Sequence, residues 1–436
     1  MPALRSITIC TRQQAVHGLS WGTVKMILSI PQIREVSIIG LLLSPSKLPD
    51  DDYRLDSLSP ITAFHYEVFS HRFDGMNTRQ NYPFPSELEL LQLVLSRIHT
   101  SLERLVLSVE PALLLAMSQW SWPSLRELRL RGERKSRPPV PYITLLSAMP
   151  NLRTLALELT LVSAGCKHAG PLWPPGSRML FPCRDLSHLS VAHPHPADEL
   201  YQRLPSTIRA LSLCCRPHKS EKAWNRRRMV YSVHVYEYPV LTPAEMLGIL
   251  RSCRLPHLTR LEIEYQGDEE ELGLLRSLAM MFPQLAWLQV HRYRDEGPES
   301  MSVVADDDEL DFVGAIGRAL SNLLGLRTFC GYLDLPHQPM ILDLGPPYYD
   351  AVQIAEYTKT LYRVARTLAG TVPSLEMVYL WRPRTTGQIE WAPFEVVRGD
   401  NAPEGEFEIR CPVDVKEDGG PLYPVVPVPI WYNVDP

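Results

Sequence analysis

The chain has 436 residues, with 44 Lys plus Arg against 49 Asp plus Glu and a net charge of -5. That balance gives no nucleic-acid or membrane-surface footprint. Eight cysteines without a C-x-x-C pair are no disulfide framework, so a reducing compartment is expected. No apolar run approaches the ~18 residues that a membrane span requires. The chain opens on MPALRSITIC, which reads as a strand and not as a signal peptide, so an intracellular protein, cytoplasmic or nuclear, is expected. From there one phrase returns again and again: PALRSITI from Pro2, PQIREVSI from Pro31, SLERLVLS from Ser101, then WPSLRELRLRG from Trp122. PNLRTLAL follows from Pro150, PHLTRLEI from Pro256, PQLAWLQV from Pro283 and PSLEMVYL from Pro373. Looser copies are PITAFHYE, RDLSHLSV, STIRALSL and GLRTFCGY.

The shared spacing is L-x-x-L-x-L, as in Leu125, Leu128 and Leu130. Its last two apolar positions alternate, so they share one side of a strand and the residues between them take the other. A phrase repeated at this period marks a repeat architecture. Between the strands the chain reads as helix. Residues 85–101 offer Ser86 as cap and Glu89 as its partner. Thr242, Pro243 and Glu245 form a second capping box. Helical stripes are expected at Leu272, Leu275, Ala279 and Phe282, and at Phe312, Ile316, Ala319 and Leu323. A third stripe runs through Ile354, Tyr357, Leu361, Val364 and Leu368. One strand and one helix per repeat predict an α/β leucine-rich-repeat solenoid over 1–383, a horseshoe with parallel strands on its concave face and helices on its convex face. Insertions are expected near 44–58, 163–180 and 216–241, the last ending in a hairpin at 230–238. A β cap is expected over 384–415, and a Pro-rich, extended or disordered tail over 416–436.

As a set, MPALRSITI, HGLSW (17–21), MPNLRTLAL (149–157), PLWPPG (171–176), PHPADELYQRLPSTIRALSL (194–213) and EMLGILRSC (245–253) resemble the leucine-rich-repeat region of fungal F-box-like proteins. LEIEYQGDEEEL (261–272) and LQVHRYR (288–294) extend the likeness, which covers nearly all of residues 1–415. The resemblance implies a protein-binding scaffold that holds a ubiquitin-ligase substrate on its repeats. In that family an F-box helix bundle docks to the adaptor of a cullin-RING ligase. No F-box phrase is recognisable in this chain, so the adaptor is a partner only if an F-box is encoded upstream. The alternative is a ligase-independent inhibitor or scaffold.

Little in the sequence points to catalysis. Gly18-Leu19-Ser20-Trp21-Gly22 matches G-x-S-x-G, but the surroundings read as a turn opening a helix, with Trp21 buried, and not as a nucleophile elbow. A hydrolase using Ser20 is the remaining enzymatic reading. Cys166, His168, Cys183, His193, His195, Cys214, Cys215 and His218 are zinc-compatible residue types without the paired short spacing of structural zinc sites. No metal or cofactor is therefore expected. The basic run Arg226–Arg228, with Lys219, Lys222 and Trp224, reads as a solvated loop. The sheet positions opposite the leucines are more informative. Arg129 and Arg131 stand there in one repeat. In the C-terminal third the positions are Trp287, Gln289, His291, Tyr293, Tyr332, Met377, Tyr379 and Trp381. Trp and Tyr are common interface anchors, so these residues are the expected protein-binding surface.

Overall fold

The computed structural model describes residues 4–10, 18–43, 58–68, 85–134, 138–160, 170–214, 240–294, 306–335, 351–383, 389–399 and 406–411. Residues 44–57, 163–169, 216–239 and 416–436, which hold most of the expected insertions, the basic run, the 230–238 hairpin and the tail, lie outside the described residues. The chain divides into two compact units, one running to Ile208 and one beginning at Arg209.

In the first unit, β1 (Ser6–Cys10), β2 (Glu35–Ile39), β3 (Ala63–Glu67), β4 (Arg104–Ser108), β5 (Glu127–Glu133), β6 (Thr154–Thr160) and β7 (His188–Val191) pair in chain order, all parallel. The helices between them are α1 (Trp21–Leu28), α2 (Pro85–Ile98), α3 (Leu114–Gln119) and α4 (Tyr142–Leu146). A 3-10 turn, Glu199–Arg203, follows β7. In the second unit, β8 (Ala210–Leu213), β9 (Arg260–Gln266), β10 (Trp287–Tyr293), β11 (Thr328–Tyr332) and β12 (Met377–Pro383) are again parallel and in order. They alternate with α5 (Pro243–Ser252), α6 (Glu271–Met281), α7 (Asp306–Leu320) and α8 (Ala351–Thr371). Two antiparallel strands, β13 (Ile389–Val397) and β14 (Glu408–Arg410), extend the sheet past β12. Each unit is thus an α/β arrangement of parallel strands alternating with helices, compatible with a solenoid-like fold. No helix among the described residues is long and apolar enough to cross a membrane.

The leucine ladder builds the core. Leu125, Leu128 and Leu130 are fully buried, as are Leu152, Leu155, Leu258, Leu261 and their counterparts in other repeats. At ~1.5–3 kcal/mol per buried aliphatic side chain, a few such residues per repeat suffice to hold each strand to the next. The residue after the first leucine of each phrase supplies a second tie through its backbone. The carbonyl of Arg126 accepts N–H groups from both Arg153 (2.8 Å) and Thr154 (2.9 Å), and that of Glu103 accepts from Arg126 and Glu127. The same doubled acceptance recurs from Arg5 to Arg153 in the first unit and from Arg209 to Arg327 in the second. Repeats are thereby locked in register before the strand begins.

Helix signals hold with local shifts. Thr242 and Glu245 form the expected capping box, the Thr242 hydroxyl accepting from Glu245 N (3.2 Å) and the carboxylate from Thr242 N (2.9 Å). The α2 helix opens at Pro85, so Ser86 lies inside it, and Glu87 is buried and accepts from the Tyr66 hydroxyl of β3. On α6 the buried stripe is Leu274, Leu275, Leu278 and Phe282, whereas Leu272 and Ala279 are half-buried. The stripe is turned because Glu271 points inward, accepting from Tyr265 (2.9 Å) and from Arg292 (3.0 Å). On α7, Phe312 is half-buried under the Arg292 guanidinium, 4.2 Å from its ring, and Val313 takes the inner place. The α8 stripe from Tyr357 through Leu361, Val364 and Leu368 is buried as expected.

Candidate functional site

On the sheet face opposite the leucines, parallel register lines up one side chain per strand. In the second unit one row runs Ser212, Glu262, Gln289, Cys330, Tyr379 and a neighbouring row runs Glu264, His291, Tyr332. The antiparallel strand β13 places Trp391 directly opposite Trp381 of β12. The predicted binding residues are therefore brought together on one face, as alternation requires.

The sequence-based expectation that they form an open surface is not met. Trp287, Gln289, His291, Tyr293, Tyr332 and Tyr379 are between 0% and 7% exposed, and only Met377 and Trp381 keep partial exposure. The reason is geometric. Strands lie about 4.8 Å apart, so large aromatic side chains on neighbouring strands fill the space over the sheet themselves. Trp287, Cys330 and Tyr379 pack together with Met377 and Trp391 against them. Tyr293 and Tyr332 form a second cluster with Trp381, Trp391 and Val240. The ring contacts are edge-on or tilted, at 4.9 Å for Tyr332–Trp381 and 5.4 Å for Tyr293–Tyr332.

A polar net runs beneath the aromatics. The Ser212 hydroxyl donates to Glu262 (2.5 Å), and the Gln289 amide donates to Glu262 (2.7 Å) and to Nε2 of His291 (2.5 Å), which fixes that ring nitrogen as the acceptor. Tyr293 donates to Glu264 (2.7 Å). Burial, reinforced by the Glu262 charge, pushes the Cys330 thiol well above its usual range, so this sulfur is no nucleophile at neutral pH. Arg260 stacks on Trp287 at 4.8 Å from the ring, and burial lowers its pKa. Glu262, Glu264 and Trp391 belong to this face although they are not among the residues expected from the sequence. Their signal was present, because LEIEYQ alternates and so assigns both glutamates to the face of Gln289.

The chain matches no family model and no curated protein.

In the first unit the corresponding face carries charge. Arg131 lies between Glu158 (2.6 Å) and Glu67 (3.0 Å), and His65 bonds Glu67 at 2.8 Å. Burial opposes ionisation of Glu67, but the His65 hydrogen bond and the Arg131 charge outweigh it and hold the carboxyl below its ordinary value. Burial likewise opposes the Arg131 charge, and Glu158 and Glu67 overcome it. Arg129 is buried beside Glu127 (3.5 Å). Both predicted arginines are therefore structural members of the face; Arg131 keeps a partly exposed edge and Arg129 does not.

The other candidates resolve by local geometry. Ser20 caps α1, its oxygen accepting from Thr23 N (3.3 Å) and bonding Thr23 Oγ1 (2.9 Å), with Trp21 buried behind it. Cys183 is buried with its thiol pushed up to about 12, its Sγ–H facing the carbonyls of Met149 and Leu146. His195 accepts from Ala197 N. Cys166, His168, Cys215 and His218 lie outside the described residues. Among the described residues, no three or more His, Cys, Asp and Glu side chains are grouped to hold a metal ion.

The described residues also frame a cleft that sequence reasoning did not foresee. It holds about 340 Å³ at the edge where β4 to β7 begin, and is lined by Glu103, Ser124, Arg126, Asn151, Arg153 and Asp185. Ser124 donates to the Thr100 carbonyl (2.9 Å) and Asn151 to that of Pro123 (2.7 Å), so the floor is tied across three repeats.

Proposed function

We propose that this chain is a non-catalytic leucine-rich-repeat scaffold that recognises another protein, comparable to the substrate-binding repeats of an F-box ubiquitin-ligase subunit. Each unit is read as an arc of such a solenoid, with strands on the concave side and helices on the convex side. The observation that carries this reading is the in-register display. One side chain from each successive strand is fixed in a row by leucines beneath it and doubled carbonyl bonds beside it. Such a surface offers shape and charge with little ordering entropy left to lose, which favours recognition. With the aromatic rows of the second unit packed shut, contact falls to the charged face of the first unit, where Arg104, Glu127, His65 and the edge of Arg131 are reachable.

A photo-crosslinking residue in place of exposed Arg104 tests this, against the same residue in place of Arg276, which is exposed on α6. A partner captured from position 104 and not from 276 supports the reading. Equal capture from both positions, or none from either, overturns it. If the captured species includes the cullin adaptor, the ligase assignment is favoured over the ligase-independent alternative.

A further inference from the structure

The polar cleft at the start of β4–β7 has an order that random surface charge does not explain. Its charges run acid, base, base, acid: Glu103, Arg126 and Arg153 on three consecutive repeats, then Asp185 on the fourth. All four side chains are exposed, and none makes an ion pair or side-chain hydrogen bond among the described residues. Oppositely charged neighbours on adjacent repeats would ordinarily lean together. Here Arg126 and Arg153, which directly precede the paired residues Glu127 and Thr154 of adjacent strands about 4.8 Å apart, line one cleft without a partner for either charge among the described residues.

The backbone under them is rigid. Arg126 N donates to Glu103 O (2.8 Å), while Arg126 O holds Arg153 N and Thr154 N. Ser124 and Asn151, which also line the cleft, each donate to a backbone carbonyl of the preceding repeat, Thr100 and Pro123. Two arginines on adjacent repeats of one cleft can supply guanidinium donors to one planar oxyanion. The flanking carboxylates close the cleft at both ends. A continuous polyanion such as a nucleic-acid strand would meet Glu103 on one side and Asp185 on the other. The cleft is also neutral in sum, which favours a ligand that is itself close to neutral.

We propose that this cleft binds an acidic side chain of a partner protein, an aspartate or glutamate carried on an extended segment with a basic residue on either side. The carboxylate sits between Arg126 and Arg153, and the flanking cations reach Glu103 and Asp185. This rests on the protein-recognition reading above and assigns it a partner chemistry at the strand-start edge of the first unit.

The probe is a fluorescein-labelled heptapeptide with a central aspartate and a lysine two residues to either side, titrated by fluorescence anisotropy at low salt, where exposed charge pairs are least screened. Saturable binding with a Kd below about 1 mM is expected. At least tenfold weakening is expected when the aspartate is changed to asparagine, and again in the doubly substituted chain Arg126→Gln/Arg153→Gln. Both arginines are exposed, and circular dichroism checks that the variant is folded. Equal binding by the wild-type and doubly substituted chains overturns the proposal, as does no binding by the wild type. A central phosphoserine that binds more than tenfold tighter than aspartate overturns the assignment to a carboxylate. Charge reversal at the flanks, Glu103→Lys/Asp185→Lys, is expected to remove the preference for flanking lysines, and its persistence counts against the four-charge arrangement. If the crosslinked partner is retained undiminished by Arg126→Gln/Arg153→Gln, the cleft assignment fails while the scaffold reading stands. If the wild type captures nothing, the scaffold reading fails.

Discussion

Trp287 separates an open binding face from a packed one. Its indole touches Cys330 and Tyr379, with Met377 and Trp391 against them, and the Arg260 guanidinium lies 4.8 Å from its ring. Truncation to alanine removes a side chain that is 93% buried by its 7% exposure, and such Trp→Ala changes cost ~3–5 kcal/mol. Loss of the stacked cation adds roughly 0.5–2 kcal/mol. The indole Nε1 has no hydrogen-bond partner, so Trp287→Phe keeps most of the packing and forfeits no bond; its expected cost is below ~1.5 kcal/mol. Far-UV circular dichroism during urea unfolding is the suitable assay, since removing a tryptophan alters fluorescence directly. With slopes of ~1–3 kcal/mol per molar urea, Trp287→Ala should lower the midpoint by roughly 1–3 M and Trp287→Phe by much less. A midpoint for Trp287→Ala that matches the wild type would refute the packing argument and return this face to solvent.

Two further outcomes follow from local geometry. Glu67 has a folded-state pKa below its ordinary 4.5, so its contribution is present above that value and is lost as pH falls through the lower, folded one. Glu67→Gln should therefore destabilise the first unit at pH 7, with the gap to wild type closing as the pH falls below 4.5 and through the lower folded-state value, in thermal melts across a pH series. In the second unit, Thr242→Ala removes the hydroxyl that accepts from Glu245 N while leaving the Thr242 N–H to the Glu245 carboxylate, and should cost about 1 kcal/mol, read as a lower melting temperature, whereas Thr242→Ser should restore most of it.

The sequence disclosed the strands, their parallel order and their helix-covered side, because L-x-x-L-x-L is a local pattern and burial of its leucines depends only on the next repeat. It disclosed the Thr242 box for the same reason. It did not disclose the turned stripe of α6. Glu271 reads as one more acid in the run Glu269–Glu271, yet Tyr265 and Arg292 draw it inward from two other strands. A buried charge with partners 6 and 21 residues away leaves no local trace. The aromatic face failed as an open surface on similar grounds. Alternation placed Trp287, Tyr379 and Trp381 on one side correctly, but whether that side meets water depends on what the neighbouring strands contribute, and Trp391 arrives from beyond the repeats on an antiparallel strand.

The same logic explains why the cleft is not legible in the sequence. Arginine after the first apolar residue of the phrase occurs at Arg5, Arg34, Arg126, Arg153, Arg209 and Arg327, and its frequency makes it look like part of the repeat. The backbone at that position is what the repeat requires: its carbonyl holds two amides of the next strand, a task any residue type performs, as Thr62, Thr259 and Ala286 show. The side chain is not needed for that tie and serves other ends: Arg34 donates to the Pro31 and Ile33 carbonyls and to Ser59, and Arg327 to the Ser374 carbonyl, whereas Arg126 and Arg153 make no ion pair or side-chain hydrogen bond among the described residues. Arg126 and Arg153 are the adjacent pair that the described cleft encloses. That separation between what the backbone must do and what the side chain need not do is the physical basis for seeking partner contacts along the strand-start edge, as well as across the sheet face.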